Sequence, residues 1–574
     1  MDDRLERLES RVQQLEAAIR NLAPRLDALE DRLRGASRGA EGDAAATALP
    51  PAREPAAPQA QTVDHVGALS LVGRTFMVMA GAYLLRALTE SGALPNWAGI
   101  ALGLAYAITW TIAADRAGQQ RPLSAVFHGL ASVMIAFPIL WEATAKFKLF
   151  SAPVSAAALA TVAGLMLTVA WRRSLRPVAW FATLGALATA IVLFAQTGAI
   201  VPYAFVLIAL GVGTLWLGYD REWVTLRWPV AIVADVVVVG LTSRALAGHE
   251  SPGITILVQL LLLSAYLASV AARTLVKGRD VIPFEIAQTA AGLVIGLGGA
   301  IAIVRSTATG SALLGTATVV IGAACYGVAF AFLERRQRGS TNFYFYISLA
   351  IVLVLTGTAV LLSPPVLAAV WAVLAVLTTW WGQRFSRVSL TWHGAIYAVA
   401  AAFVTGLLAS SLAALVAPAG QAWPAFSPAA WVVLVAVAIC ALIPFPTVES
   451  GQAALPRSPR VIVDVVLLIA VSGALVHALA PLVGAQARTA AGRVATLRTA
   501  VLSAGGVALA VAGSRPSFVE FGWLLYPVLA LGGLKLLTED LRVSTAGTLF
   551  LALACLGAAL ILAPRLLRTA RSSQ

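Results

Sequence analysis

The chain has 574 residues, of which 59% are hydrophobic and only 12% charged. An ordinary soluble domain carries roughly 25% charged residues, so this composition cannot clothe a water-facing surface and excludes a secreted, nuclear or cytosolic enzyme. The formal charge of +14 is spread as twos and threes of Arg and Lys between apolar stretches. That is the positive-inside pattern of a membrane topology, with no basic block for nucleic acid.

Residues 1–34 read as a coiled-coil helix. Leu5, Leu8, Val12, Leu15, Ile19, Leu22, Leu26, Leu29 and Leu33 alternate spacings of three and four, the heptad seam of a supercoil. Val12 and Ile19 share one seam position, and Leu8, Leu15, Leu22 and Leu29 share the other, which favours a parallel homodimer. Arg4 and Glu9, Arg11 and Glu16, and Arg25 and Glu30 flank the seam so that each Arg faces the Glu of a second copy. Exposed pairs of this kind contribute about 0.2–1 kcal/mol and choose orientation more than they stabilise. Pro24 falls outside the seam but removes a helical hydrogen bond, so the helix kinks or divides there. Two alternatives stay open: a single amphipathic helix packed on its own membrane domain, or a cytoplasmic protein partner. Met1 leads straight into this charged segment, so no secretory signal is expected. Residues 35–64, with Pro50, Pro51, Pro55 and Pro58 in an Ala-rich run, read as a disordered tether.

From residue 65 to residue 564 the chain is a train of about eighteen apolar segments, each near the roughly 20 residues that cross a bilayer. The expected fold is therefore all-α, a polytopic membrane domain of about eighteen transmembrane helices. The thirteenth segment, 390–416, is long enough to kink. Basic residues gather in the loops after even-numbered segments, among them Arg116 and Arg121, Arg172, Arg173 and Arg176, Arg335, Arg336 and Arg338, and Arg457 and Arg460. This bias makes those loops cytoplasmic, and with them both termini, including the basic tail 565–574 with Arg565, Arg568 and Arg571.

The first apolar segment, with Val72-Gly73-Arg74-Thr75 and Gly81-Ala82-Tyr83-Leu84-Leu85-Arg86, follows a coiled coil and a Pro/Ala tether. The carboxyl end carries Leu534-Lys535-Leu536-Leu537 and Asp540-Leu541 before a final apolar span. In these features the chain resembles the bacterial predicted membrane proteins of a large domain-of-unknown-function family. The resemblance implies a multi-pass inner-membrane protein and carries no catalytic residues over.

Ionisable groups inside a span cost roughly 2.5–3.5 kcal/mol at the bilayer centre. Glu285, His393, Asp464, Arg86, Glu142, Arg244, His477 and Arg498 lie near segment ends, where snorkelling to the interface accounts for them. Asp235 does not. It stands about eight residues beyond Arg227, roughly 12 Å into the bilayer, and needs a partner or a proton. It reads as a proton- or cation-coupling site or as one end of an interhelical hydrogen bond. His128, at similar depth, is the matching residue for a relay. Gly99 and Gly103, and Gly292 and Gly296, form small-xxx-small faces for helix packing.

Cys325, Cys440 and Cys555 are isolated, which argues against a disulfide framework or a metal site. The zinc-helix, phosphate-loop and Cys-x-x-Cys patterns are absent, so neither a cofactor nor an enzymatic activity is expected. Two functions remain: a transporter or translocator of lipid or envelope precursors, and a membrane organising protein that self-associates or recruits a partner through its coiled coil.

Overall fold

The computed structural model describes residues 65–307, 309–333, 341–444, 457–485 and 488–572. The coiled-coil seam Leu5 to Leu33, the tether and the Arg335, Arg336 and Arg338 loop lie outside the described residues.

Every regular element among the described residues is helical. In chain order they are α1 (His65–Glu90), α2 (Asn96–Ala117), α3 (Pro122–Lys146), α4 (Ala152–Arg173), α5 (Arg176–Thr197), α6 (Ile200–Arg221) and α7 (Arg227–Leu246). Next come α8 (Pro252–Val276), α9 (Pro283–Thr307), α10 (Ser311–Ala331), α11 (Thr341–Leu361), α12 (Pro364–Arg384), α13 (Val388–Val404), α14 (Leu407–Val416) and α15 (Pro428–Leu442). The last are α16 (Ser458–Val483), α17 (Ala491–Gly513), α18 (Pro516–Val543) and α19 (Ala546–Ser572).

Fifteen of these helices are long and apolar enough to cross a membrane, or sixteen if the bent pair α13 and α14 is one span. The chain is therefore a multi-pass membrane protein. The difference from the expected eighteen lies in three places: α1, the bent pair, and α15, which is only 15 residues long.

The polarity of the surface follows from the solvent. Val236 is 64% exposed and Phe550 68% exposed, whereas Ala136, Ala170, Ala179, Ala182 and Ala204 are fully buried. Large apolar side chains face lipid and small ones let backbones approach, because lipid tails give no hydrophobic drive for helices to associate. Sequence neighbours joined by short loops pack as antiparallel pairs, α2 on α3, α6 on α7, α10 on α11 and α12 on α13. Proline sits in the first turn of α3, α4, α8, α9, α12, α15 and α16, where its missing N–H is no loss.

Two departures from regular helix matter for function. π-helical turns close α3 and α8, at Glu142–Lys146 and Ala272–Val276, interrupt α9 at Gly292–Leu297, end α10 from Val328, and precede the last turn of α18 at Leu536–Asp540. Glu142, Lys146, Arg273, Glu539 and Asp540 fall within these turns. The second departure is the 68° bend between α13 and α14. Gly406 has φ +72°, a left-handed conformation open to glycine at no steric cost. The Thr405 carbonyl at the bend accepts from Ser427 Oγ at 3.3 Å, and the Gly406 carbonyl accepts the first helical bond of α14, from Ser410 N at 2.8 Å. Broken backbone at membrane depth persists only when protein groups satisfy it in this way.

A Cβ at Gly406 would meet nothing within 4 Å. Gly406→Ala should therefore cost only the left-handed strain, about 1–2 kcal/mol. A Cβ at Gly473 would instead collide with the backbone of Ser411 on α14, and overpacking of this kind costs about 1–3 kcal/mol. Thermal unfolding in detergent should show both losses, and Gly406→Asn should recover part of the first but Gly473→Ser none of the second.

Candidate functional site

A ladder of polar side chains runs along the packed faces of α6, α7, α8 and α9. It begins at Glu285, in the first turn of α9 and 1% exposed. Its carboxylate accepts from Arg273 Nη1 at 3.0 Å, from the Ile282 backbone N–H at 2.8 Å, and from Tyr219 Oη. Three cations surround this end with their charge spread over aromatic faces. Arg227 Cζ lies 4.6 Å from the Phe284 ring, Arg273 Cζ 4.8 Å from Tyr219, and Lys277 Nζ 4.8 Å from Trp216. A guanidinium over a ring sheds water at less cost than a bare one.

One turn further along α9, Gln288 Nε2 donates to Asp235 Oδ1 on α7 at 2.9 Å. The buried hydroxyls of Tyr266 on α8 and Thr289 on α9 make no hydrogen bond among the described residues. Two turns beyond Asp235 on α7, Thr242 Oγ1 accepts from Gln259 Nε2 at 2.6 Å, and Gln259 Oε1 has no hydrogen-bond partner among the described residues. The spacing is regular. Asp235 to Thr242 on α7 and Tyr266 to Gln259 on α8 are each seven residues, so the two antiparallel helices present polar groups in layers roughly 10 Å apart. Glycines make the room. A Cβ at Gly296 would lie 2.7 Å from Gln259 O, and one at Gly299 would strike the Gln259 amide. The α9 backbone closes directly on α8 at this level.

The residues singled out in the sequence fall as follows. Asp235 is half-buried and its partner is Gln288, not His128. His128 lies on α3, its Nε2 3.1 Å from Ser124 Oγ and its ring 5.0 Å from Trp110. The principal neighbours of α3 are α2 and α5, whereas α7 packs on α6, α8 and α9. Gly99 faces the Thr89 side chain at the end of α1, Gly103 faces Ile139 on α3, and Gly292 and Gly296 face Leu263 and Gln259 on α8.

Snorkelling to the interface fails for five residues. Glu142, Glu285, His393, Asp464 and Arg498 are all buried in protein. Distance from a segment end gives depth in the bilayer but not the side of the helix on which a residue stands. Each buried charge belongs to a group that the sequence reading missed. Glu142 pairs with Arg86 at 3.0 Å. Asp115 and Arg173 join the ends of α2 and α4 at 2.8 Å. On α18, Lys535 Nζ lies 2.7 Å from Asp540 Oδ2 and 2.9 Å from Thr499 Oγ1 of α17. Arg498, 1% exposed, donates from Nε to Ala414 O at 2.9 Å, from Nη2 to Ala417 O, and from Nη1 to Glu539 at 2.8 Å. It therefore caps the carbonyl end of α14, where the helix dipole favours a cation. The signal available in the sequence was spacing: Arg460 and Asp464, and Lys535 and Glu539, are four apart and share a helix face.

No group of three or more His, Cys, Asp or Glu among the described residues is placed to hold a metal ion. Comparison with protein-family models, curated proteins and solved structures found no match.

Removing one partner of a buried ion pair costs about 3–5 kcal/mol, because the other charge is left uncompensated. Arg498→Met should lower the unfolding temperature in detergent by that loss of stability, toward its lower end since Glu539 is about a third exposed. Adding Glu539→Gln should restore part of it; a double variant no more stable than Arg498→Met would assign the loss to the α14 carbonyls alone.

Proposed function

We propose that this protein is a transporter of the bacterial inner membrane, moving a solute or a lipid or envelope precursor, with Asp235 as its coupling residue. The observation that carries the proposal is the broken apolar helix, α13 and α14 with their 68° bend. Discontinuous helices of this kind build substrate and ion sites in secondary transporters, where unwound backbone lines a cavity. The polar ladder through Asp235, Gln288, Gln259 and Thr242 supports the same reading, since polar groups inside spans mark ion and substrate pathways.

The proposal includes eighteen crossings, with α1, the bent pair and α15 completing the fifteen, and cytoplasmic termini. Ion pairs support the alternation of the helices they join: Glu90 with Lys146 and Asp115 with Arg173 across α2, α3 and α4, and Arg498 with Glu539 across α17 and α18, each meeting at one end of its helices.

The test uses an imposed proton gradient across proteoliposomes at matched protein level. Asp235→Asn should abolish gradient-driven flux while folding persists, because Asn keeps the shape and a hydrogen bond to Gln288 but cannot ionise. A fully active Asn variant, with Asp235→Leu merely destabilised, would make the residue structural.

A second reading is favoured by the heptad seam: an organising protein that self-associates, or recruits a cytoplasmic partner, through residues 5–33. A peptide of residues 1–36 should then be helical with a melting temperature that rises with concentration. A peptide that stays monomeric at every accessible concentration removes the homodimer.

A further inference from the structure

The carboxyl-terminal helices hold a second ionisable site, on helices separate from those of Asp235 and independent of whether the protein transports. Asp464 stands on α16 one turn beyond Arg460. It is 1% exposed, and neither carboxylate oxygen has a hydrogen-bond partner among the described residues. Arg460 is itself buried. Its Nη2 donates to Ala441 O in the last turn of α15 at 2.7 Å, its Nε lies 3.4 Å from Glu520 Oε1, and its Cζ sits 5.0 Å from the Phe518 ring. Nη1 of Arg460 has no hydrogen-bond partner among the described residues. Glu520, fully buried in α18, is held on its other oxygen by Arg457 Nη1 at 3.2 Å. The side chain of Arg457 is the part of this group that reaches solvent, at 21% exposure.

The other elements packed on α16 add little charge. Helix α13 carries His393, whose Nδ1 lies against Ser389 O. Helix α15 carries the buried thiol of Cys440. Helix α14 has no ionisable residue, nor has α17 from Thr499 to Gly513. In α18, Tyr526 is exposed, and Arg515 lies in the turn before it.

A carboxylate at this burial cannot remain ionised without donors, since the penalty exceeds what a protein interior sustains. Two resolutions exist. Arg460 can turn its unused Nη1 to Asp464, one turn away, or Asp464 can take a proton. The charges permit both. Arg457 and Arg460 balance Glu520 and Asp464 when both carboxylates are ionised, and the group carries one positive charge when one of them is protonated. A metal ion would add the same charge but needs several oxygen ligands, and it would sit against the free N–H of a guanidinium. A proton needs one oxygen.

We propose that Asp464 is a proton-binding site, that it exchanges its proton with the aqueous phase at the Arg457 end, and that Arg460 passes from Glu520 toward Asp464 when the proton leaves. The guanidinium, carried by α16 and bonded to Ala441 O of α15, then ties both helices to α18 in the protonated state and, turned to Asp464 of its own helix, lets go of Glu520 in the ionised state. One proton thus decides whether Arg460 holds α18 to α15 and α16.

The experiment is infrared difference spectroscopy of the purified full-length protein in nanodiscs, titrated with acid, with Asp235→Asn as the background so that Asp235 contributes nothing. A carboxylic-acid C=O band should rise as pH falls, vanish when Asp464→Asn is added, and return at a shifted frequency with Asp464→Glu. Arg460→Lys should move the titration to higher pH, because an ammonium gives the ionised form less than a guanidinium fork. An unchanged band in the Asp464→Asn protein overturns the proposal, as does displacement of the band by sodium at fixed pH. If the Asn variant does not fold, the Glu and Lys variants decide: a band that neither moves in frequency nor in titration rejects the assignment.

Discussion

The hydrocarbon of a bilayer offers no hydrogen-bond partner, and most of this structure answers to that fact. Backbone groups pair within helices. Where a helix breaks, at Gly406, side-chain and backbone donors replace the lost ladder. Several charges in the interior are met by a second charge from another helix or helix end: Arg498 with Glu539, Arg273 with Glu285, and Arg457 with Glu520. These pairs stabilise less by their attraction than by preventing an orphaned charge, which is why removing one member is so costly. They also act over distance in sequence. Glu520 stands 63 residues from Arg457, so each pair fixes which helices are neighbours.

Charge pairing and glycine placement work together. At one interface a long polar side chain crosses where the facing backbone carries no side chain: Gln259 reaches Thr242 past Gly296 and Gly299. At another, small residues bring two backbones close, as where Gly473 meets Ser411.

The helices were legible in the sequence because spanning a bilayer forces near-continuous apolar runs, with Pro at their starts and Arg at their ends. The helix Ala152–Arg173 shows both marks, with Pro153 in its first turn and Arg172 and Arg173 in its last. The long thirteenth segment is bent, as its length invited. Asp235 stood out because depth alone marks it. Its partner did not, because Gln288 lies 53 residues away on a helix whose rotation a linear pattern does not report. Asp464 and Arg498 were read as interfacial for the same reason. Depth is a property of one helix; burial is a property of its neighbours.

The short α15 has a consequence for the membrane itself. Its 15 residues cover roughly 22 Å, against roughly 30 Å of hydrocarbon. The shortfall is taken up by the segment before it, residues 417–427, which Ser427, Ser410 and a bond from Gly420 N to Ala485 O at 3.0 Å hold down against neighbouring helices. Beside this segment is a recess of about 460 Å³ lined by Gln421, Trp423 and His477, polar enough to admit water. A hydrophobic stretch shorter than the hydrocarbon is otherwise met by thinning of the bilayer, at fractions of a kcal/mol per Å of mismatch. Here non-helical chain with its own hydrogen bonds stands where the missing turns of helix would be, so lipid need not deform to meet the short helix.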